Sequence, residues 1–453
     1  MNILSIYTSH DGSITYVEDN KIIFHTQIDR YNKFKHFSFP TKEIITELEK
    51  LQIDTIIISH LTDHCTPLWI NLFKNSKKLK NIPLVYYGNK YHHLLHAYCS
   101  LTWSSNQNIL VCDGNGADYQ NGREQESYYL FDKNLQHVIT ESNNIGMDYE
   151  LFTAEQFESS FDCGKTMAWS LHHELPRNVQ NRFETKMNNL IHRFNIKQNL
   201  TFTGGCAQNV LYNTKLKTKF NKLFCDPFNG DFGISLGAAN LYCNNFIRNN
   251  KIYLGIPQSL DLEIFSNHTV EDVQSTDVAE ILVKEPVAIF QSRSEQGQRG
   301  LGNRSLLMNP MDKKANYKLN KIKKREWFRP FACSILEEQS TDWFDISDNS
   351  PHMMYVYEIK NDKKLEAGIS IDNKSRLQTV SDKDNPLYHE LIKSFYKITK
   401  VPLLINTSLN LPGEVLVETL YDLKKLFEQS SLNFIYFPEI KKLVKKHSVS
   451  HPE

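Results

Sequence analysis

The sequence lacks long apolar runs, a charged leader and any excess of charge. No stretch reaches the roughly 18 consecutive apolar residues that a membrane-spanning helix needs, and the first residues show no basic region or cleavage pattern. The 52 basic and 52 acidic residues balance, so no overall field attracts nucleic acid or an anionic membrane. We therefore expect a cytoplasmic protein that does not bind membranes, in which any basic site is local.

Paired cysteines are also missing. None of the eight cysteines stands in a Cys-x-x-Cys arrangement, which argues against a cysteine zinc site and against a disulfide framework. We expect them to be reduced residues of a core. What the chain does have is 40% hydrophobic residues over 453 positions, which is enough for two or three packed domains.

Short apolar strands alternate with amphipathic helices, and this order predicts an α/β fold with mixed sheets. The beginning of the chain predicts strands at Ile3–Tyr7, Ser13–Val17, Lys21–Thr26 and Thr55–Ser59 and a helix at Lys42–Leu51. A second series has strands at Leu84–Tyr87, Asn108–Cys112 and Leu200–Thr203 and helices at His92–Cys99, Cys206–Lys217 and Gly233–Phe246. The pattern loosens over about 255–285. We therefore predict two domains, residues 1–256 and 257–453.

Two glycine-containing turns of the first domain could approach a phosphate. His10-Asp11-Gly12 lies between two predicted strands, where backbone N–H groups can face an anion. Gly204-Gly205 separates a strand from a helix. A tight hairpin and a plain strand-to-helix turn explain these segments equally well when each is taken alone, but their order suits a two-lobed ATP site between duplicated halves. We predict nucleotide contacts at Asp11, Gly12, Gly204, Gly205 and Asn209.

Histidines and aspartates of the first domain have the spacing of a metal site. His92 and His96 are four residues apart in a predicted helix, so they share one face and can chelate one ion. Asp113 follows a predicted strand, and Asp231 begins an Asp-Phe-Gly segment. A histidine pair without a metal is the alternative. Two nitrogen and two oxygen donors suit Fe(II), Mn(II) or Zn(II), and the sequence does not choose among them.

The last third of the chain concentrates glycines, fixed cations and small polar side chains in the segments 297–305, 323–331 and 406–410. Several cations held together can bind a phosphate-bearing anion by more than one oxygen. Most of the nearby lysines are typical of a solvated helix face, and we single out Lys323 alone among them. Arg329 has apolar neighbours in the sequence, which predicts a partly buried cation with a function.

These motifs, in this order, resemble the O-carbamoyltransferases of the nodulation-factor and antibiotic-biosynthesis type. The resemblance covers nearly the whole chain, from His10-Asp11-Gly12 through 30–36, 92–96, 164–167, 204–213 and 231–239 to the C-terminal segments. It implies an actin-like domain of the duplicated ribonuclease H-like (ASKHA) type, followed by a YrdC-like α/β domain. It also implies that the second domain makes carbamoyl adenylate from carbamoyl phosphate and ATP, and that the first passes the carbamoyl group to an acceptor hydroxyl.

The resemblance also implies roles for particular residues. It implies a metal, usually iron, held by His92, His96, Asp113 and Asp231. It implies a pocket for carbamoyl phosphate and ATP, with Mg²⁺, formed by Arg299, Lys323, Arg329, Arg376, Ser408 and Asn410. His10 and Lys35 match positions close to the transfer centre. For His10 we hypothesise the role of taking the acceptor proton.

The identity of the acceptor is left open. The resemblance implies that relatives have a longer segment where this chain has residues 168–203, and that this segment helps to shape their acceptor site. A sugar, an antibiotic-like core and a hydroxymethyl nucleotide all remain candidates, and the oligomeric state, a homodimer included, stays open too. The alternative function is a nucleotide-binding regulatory subunit that has kept the fold without catalysis. The presence of every implied ligand and pocket residue argues against it.

Overall fold

The computed structural model describes residues 1–119, 122–243, 247–249, 251–360 and 363–447. The chain divides into two compact units, Met1–Leu254 and Gly255–Glu453. The functions predicted for residues 1–256 and 257–453 stay predictions. The predicted helix Gly233–Phe246 is observed as Ile234–Cys243, and residues 244–246 lie outside the described ranges. Within those ranges no helix is both long enough and apolar enough to cross a membrane.

The first unit contains a five-stranded sheet. Its strands are β1 (Asn2–Tyr7), β2 (Ser13–Glu18), β3 (Lys21–Gln27), β4 (Thr55–Ser59) and β5 (Leu84–Tyr87). The spatial order is β3-β2-β1-β4-β5. The first three strands pair antiparallel, whereas β4 and β5 are added in parallel.

A second five-stranded sheet repeats this pattern. The strands that follow are β6 (Asn108–Cys112), β7 (Asp118–Tyr119), β8 (Gly122–Arg123), β9 (Glu126–Asp132), β10 (Asn134–Glu141), β11 (Asn199–Thr203) and β12 (Lys222–Cys225). Apart from the small β7–β8 ribbon, their order is β10-β9-β6-β11-β12. Here too the first three strands pair antiparallel and the last two are parallel. The two halves therefore share strand order and direction, and the predicted actin-like, duplicated ribonuclease H-like fold is confirmed.

The helices of the first unit fill the connections between these strands. They are α1 (Asp29–Asn32), α2 (Lys42–Leu48), α3 (Thr66–Asn75), α4 (His92–Ser100), α5 (Ile145–Phe157), α6 (Cys163–Trp169), α7 (Glu174–Arg193), α8 (Val210–Lys217) and α9 (Ile234–Cys243). The predicted helix Cys206–Lys217 begins as a 3-10 turn and becomes α-helical at Val210. The connection 168–203, predicted only to be short, contains the 20 residues of α7.

Helices α4 and α9 have equivalent places, each following the fifth strand of its half. They cross closely because Gly237 of α9 has no side chain where it meets α4. A Cβ at Gly237 would overlap the carbonyl oxygen of Leu95. This crossing brings the histidines of α4 close to Asp231, which lies just before α9.

Gly204 directly follows β11 and has φ 85° and ψ 164°, a backbone region that is essentially restricted to glycine. A Cβ at this position would also overlap the carbonyl oxygen of Cys112, at the end of β6. The absent side chain therefore lets the turn after β11 lie against the turn after β6, where Asp113 begins.

Gly204→Ala is expected to lower the free energy of unfolding by about 3 kcal/mol, because the strained backbone and the overlap each cost about 1–3 kcal/mol. Gly164→Ala is the control, since Gly164 lies in α6 and an added Cβ there would meet nothing within 4 Å. We expect this control to be neutral or stabilising by up to about 1 kcal/mol. Urea unfolding measures both variants, and equal stabilities would contradict the close approach at Gly204.

The second unit is built on one nine-stranded mixed sheet of order β13-β21-β20-β14-β15-β19-β16-β18-β17. Its strands are β13 (Thr269–Asp272), β14 (Val287–Phe290), β15 (Arg304–Met308), β16 (Ala332–Leu336), β17 (Val356–Glu358), β18 (Lys374–Val380), β19 (Leu403–Ser408), β20 (Phe434–Phe437) and β21 (Lys442–Lys445). Its helices are α10 (Ser275–Leu282), α11 (Ala315–Lys323), α12 (Ser340–Trp343), α13 (Pro386–Thr399) and α14 (Leu420–Gln429).

This sheet is buried on both faces, as β14 illustrates. Val287 and Ile289 pack with residues of α10 and α13, whereas Ala288 and Phe290 pack with residues of α11 and α14. Because successive residues of a strand point to opposite faces, a strand covered on both sides needs an unbroken apolar run. A mixed sheet between two helical layers is the α/β arrangement expected of the predicted YrdC-like domain.

Candidate functional site

Four side chains of the first unit converge on one point. His92 and His96 lie one turn apart on α4, Asp113 follows β6, and Asp231 begins the turn before α9. One ligand atom of each lies within 4.8 Å of the others. The Nε2 atom of His96 is 3.1 Å from Asp113 Oδ2 and 3.4 Å from Asp231 Oδ1. These residues, here called the metal-ligand cluster, form a site that can hold a metal ion.

The second oxygen of each aspartate is held by the protein. Asp113 Oδ1 accepts hydrogen bonds from the backbone N–H groups of Gly114, at 2.8 Å, and Gly205, at 3.3 Å. Asp231 Oδ2 accepts a hydrogen bond of 2.6 Å from the Tyr7 hydroxyl. Each carboxylate is thereby fixed with its other oxygen toward the histidines. Such support orients the ligands of metal sites.

The donor set fits a divalent transition ion. Two imidazole nitrogens and two carboxylate oxygens are donors that such ions accept, and the two carboxylate charges would balance a dication. Burial alone would raise the pKa of Asp113, but the two histidines hold it well below its usual range. Burial would lower the pKa of His96, but Asp113 and Asp231 raise it to about 9. The aspartates are therefore ionised, as ligands must be.

His10 lies at the edge of this cluster. Its Nε2 is 3.3 Å from Asp231 Oδ2, and its Nδ1 is 3.5 Å from Asp11 Oδ2. Asp11 also pairs with His36 Nδ1 at 2.7 Å, and the His36 ring stacks on Phe161 with ring centroids 4.2 Å apart. Burial would lower the pKa of His10, but the charge of Asp231 and the contact with Asp11 raise it to about 10.

The structure also shows the surroundings of three other residues predicted for the first domain, Lys35, Gly12 and Asn209. Lys35 is exposed, one residue before His36. Gly12 packs against Ser38, since a Cβ at Gly12 would overlap the Ser38 side chain. The Asn209 side chain accepts a hydrogen bond of 3.1 Å from a backbone N–H in the first turn of α8 and donates one of 2.9 Å to Gln180. The fold alone explains Gly12 and Asn209, and their nucleotide contacts stay predictions.

Glu150 of α5 also lies at the metal-ligand cluster, although the sequence did not single it out. A Cβ on Gly114, the residue after Asp113, would lie 2.8 Å from the carboxyl carbon of Glu150. Burial raises the pKa of Glu150, and the nearby charge of Asp113 adds to this effect, to about 7. No spacing in the sequence distinguishes Glu150 from Glu155, an exposed carboxylate of the same helix.

In the second unit, Lys323 at the end of α11 reaches the end of β19. Its ammonium donates hydrogen bonds to the backbone oxygens of Ser408, at 2.6 Å, and Asn410, at 2.8 Å. It also donates to Asn410 Oδ1, which accepts a further hydrogen bond of 2.8 Å from the Ser408 hydroxyl. These acceptors are neutral, so they orient the ammonium without balancing its charge. Burial and then the charge of Arg325 lower the pKa of Lys323.

Arginines adjoin this lysine without matching carboxylates. Burial and then the charge of Arg329 lower the pKa of Arg299 to about 10, and the same two causes lower that of Arg325 to about 9. Within the described part of the chain, the carboxylate paired with these cations is Glu326, 3.4 Å from Arg329. Such a surplus of shielded positive charge suits an anion that carries several negative charges. We call this group the cationic cluster: Arg299, Lys323, Arg325, Arg329 and Arg376.

The loop that carries Arg299 is fixed at its end. The buried Glu295 carboxylate accepts hydrogen bonds from the backbone N–H groups of Leu301 and Asn303. The Gln378 amide donates to the Leu301 carbonyl oxygen at 2.8 Å. The backbone of the glycine-rich segment is therefore anchored close to Arg299.

Arg325 belongs to the cationic cluster although the sequence prediction left it out. It lies two residues after Lys323, and Lys324 between them ends α11 in a left-handed conformation with φ 43°. The Arg325 guanidinium lies 5.0 Å from the centre of the Phe331 ring and donates to the Pro330 carbonyl oxygen at 3.2 Å. The available sequence signal was the Lys-x-Arg spacing at a helix end.

Fold and site together define a two-unit α/β protein with a metal-ligand cluster in one unit and a cationic cluster in the other. The family model described as Carbamoyltransferase C-terminus matches residues 278–444, and that described as Carbamoyltransferase N-terminus matches residues 177–240. The chain belongs to the carbamoyltransferase family. The resemblance predicted from the motifs is confirmed.

The chain is also similar to individual proteins. The nodulation protein NolNO of Sinorhizobium fredii is 27% identical over 97% of this chain and 80% of its own length. An uncharacterised protein of Methanocaldococcus jannaschii is 34% identical over 51% of this chain and 42% of its own. The chain spans about half the length of most curated relatives that it matches. Among solved structures, the activator of 2-hydroxyisocaproyl-CoA dehydratase from Clostridium difficile is similar over 53% of this chain and 94% of that one, with 11% identity and a TM-score of 0.35.

Proposed function

We propose that the protein is an ATP-dependent O-carbamoyltransferase. In the second unit it would convert carbamoyl phosphate, water and ATP into carbamoyl adenylate, phosphate and pyrophosphate. In the first unit it would pass the carbamoyl group to a hydroxyl of a small-molecule acceptor. The observation that carries this proposal is the cationic cluster, whose partly buried charges repel one another until an anion binds. The family supplies the identity of the transferred group.

The cationic cluster suits both steps of activation. Loss of phosphate from carbamoyl phosphate and loss of pyrophosphate from ATP each build negative charge on departing oxygens. Fixed guanidinium groups stabilise that charge without the reorganisation that water needs. Carbamate released in the first step is unstable in water, so it should meet ATP in the same pocket. Mg²⁺ would accompany the nucleotide, as in other phosphoryl-transfer sites.

The metal-ligand cluster would hold Fe(II) or another divalent transition ion. When bound, such an ion supplies Lewis-acid polarisation of the carbamoyl oxygen. The chain itself orients the ligands, since the Tyr7 hydroxyl and the Gly205 backbone each hold one of the aspartates. His10 and Lys35 remain our predicted residues of the transfer centre.

The acceptor that we propose is a small molecule with a free hydroxyl, of the sugar, antibiotic-like or hydroxymethyl-nucleotide type. The balanced charge of the chain gives no support for a nucleic-acid polymer. Within residues 168–203, where the resemblance implies a longer segment in relatives, this chain has α7, which packs inward through Phe183, Met187 and Leu190. This helix is therefore the first place to seek determinants of acceptor choice.

The test is formation of pyrophosphate and AMP from ATP that depends on carbamoyl phosphate. Purified protein is assayed with Mg²⁺ and Fe(II), first without any added acceptor. We expect pyrophosphate release only when carbamoyl phosphate is present, followed by AMP as the adenylate is consumed. ATP binding without this reaction would contradict the proposal and favour a regulatory subunit.

A further inference from the structure

We propose that Glu150 accepts the proton of the acceptor hydroxyl during carbamoyl transfer. The inference rests on the proposed function and adds a catalytic residue that the sequence motifs did not assign. Glu150 lies on α5, and its carboxyl group lies against Gly114, the residue next to the ligand Asp113. Its charge interacts with those of Asp113, His10 and Asp231. The carboxylate is therefore at the site where transfer would occur.

The Glu150 carboxylate differs from its polar neighbours Asp113, Asp231 and His10 in its hydrogen bonds and ion pairs. Among the described residues, its half-buried carboxylate forms no hydrogen bond and no ion pair. Asp113 and Asp231 each use one oxygen toward the histidines and the other toward the protein. His10 has a carboxylate oxygen beside each ring nitrogen, at 3.3 and 3.5 Å. Glu150 thus has free acceptor atoms, whereas Asp113, Asp231 and His10 each have a partner beside theirs.

Glu150 is not needed to complete the metal-ligand cluster. The four ligand atoms come within 4.8 Å of one another without it, and they already include two carboxylates. A third carboxylate beside the first two is repelled by them, which is unfavourable for folding. A role in taking the proton of an incoming hydroxyl explains why a carboxylate is nevertheless present here.

The proposed step balances as follows. The O–H bond of the acceptor breaks, and its proton passes to a carboxylate oxygen of Glu150. The acceptor oxygen forms a bond to the carbamoyl carbon. The bond from that carbon to the phosphate oxygen of carbamoyl adenylate breaks, and AMP leaves with the electron pair. Glu150 then releases the proton to water. This step gives Glu150 the role that we hypothesised for His10 from the sequence, and His10, 3.3 Å from Asp231, would instead help to position that ligand.

Glu150→Gln tests this role, because it keeps the size of the side chain and removes its capacity as a base. Glu155→Gln is the matched control, since Glu155 lies on the exposed side of the same helix. Each protein is assayed for metal content, for pyrophosphate release, and for transfer of radiolabelled carbamoyl groups to two probes. Glycerol offers hydroxyls that need a base. Hydroxylamine attacks through a nitrogen lone pair and needs none.

We expect Glu150→Gln to lower kcat for transfer to glycerol by about 100-fold or more, and transfer to hydroxylamine by less than about tenfold. Metal content and pyrophosphate release should match wild type, as should every activity of Glu155→Gln. Equal transfer to glycerol by wild type and Glu150→Gln would overturn the inference, and so would equal losses with both probes, which indicate a structural role. Absence of carbamoyl-phosphate-dependent pyrophosphate release in wild type would instead overturn the proposed function.

Discussion

Arg299→Ala is expected to lower carbamoyl-phosphate-dependent pyrophosphate release by about 100- to 1,000-fold, the range measured when one preorganised donor is removed from a site of developing charge. The same substitution is expected to raise the Tm of the ligand-free protein by about 2–4 °C. Arg299 is partly buried and repelled by Arg329, so its removal relieves repulsion when no anion is bound. Loss of activity together with a gain in stability identifies a residue held in place for a ligand.

Lys321→Ala is the matched control for this prediction. Lys321 is an exposed lysine of α11, two residues before Lys323. We expect it to leave both the Tm and pyrophosphate release unchanged, because exposed charges interact weakly through water. Calorimetry with added pyrophosphate completes the test, since a bound anion should stabilise wild type more than Arg299→Ala. If Arg299→Ala lowered the Tm and kept full activity, Arg299 would be a structural cation instead.

The elements that could be predicted from the sequence are those with unbroken apolar runs or a clear helical period. The sequence predicts strands β4 and β6 because buried strands need consecutive apolar residues. The hairpin of β9 and β10 was missed, because its turn residue is Lys133, with φ 59°. Glycine or asparagine usually marks such a turn. The pairing of the two strands on either side, with Asn134 opposite Asp132, holds this exposed lysine there.

Helix α7 is not among the predicted elements, although its apolar residues recur with helical spacing in the sequence. Its buried residues include Phe183, Met187 and Leu190, spaced three or four apart as on one face of a helix. Polar residues separate them. The sequence of a helix that buries only one narrow face is therefore hard to distinguish from that of a polar loop.

Only part of the metal-ligand cluster could be predicted from sequence spacing. The pair His92 and His96 could be predicted from helical spacing alone. Their approach to Asp231 depends on the α4–α9 crossing at Gly237, which no local pattern indicates. The hydrogen bond from Tyr7 to Asp231 joins residues 224 apart in the chain. Supporting residues of this kind have no spacing rule, so they emerge only from the structure.

Asp231→Asn is expected to weaken binding of a divalent transition ion by more than about 100-fold, since even changes in the groups that support metal ligands cost about 10–100-fold. Asparagine keeps the size of the side chain but removes one of the two carboxylate charges that would balance the ion. Metal content after dialysis measures the loss, and the rise of Tm on adding Fe(II) or Mn(II) should disappear with it. Carbamoyl transfer to an acceptor is expected to stop.

Pyrophosphate release by Asp231→Asn should persist at the wild-type rate, because the cationic cluster lies in the other unit. Asp118→Asn is the control, an exposed aspartate five residues after Asp113, and should retain both metal and transfer. Arg299→Ala and Asp231→Asn would then fail at different steps, the first before carbamoyl adenylate forms and the second after it. A mixture of the two variants tests whether the intermediate can leave one molecule and be used by another. Loss of pyrophosphate release in Asp231→Asn would contradict a separation of the two steps between the units.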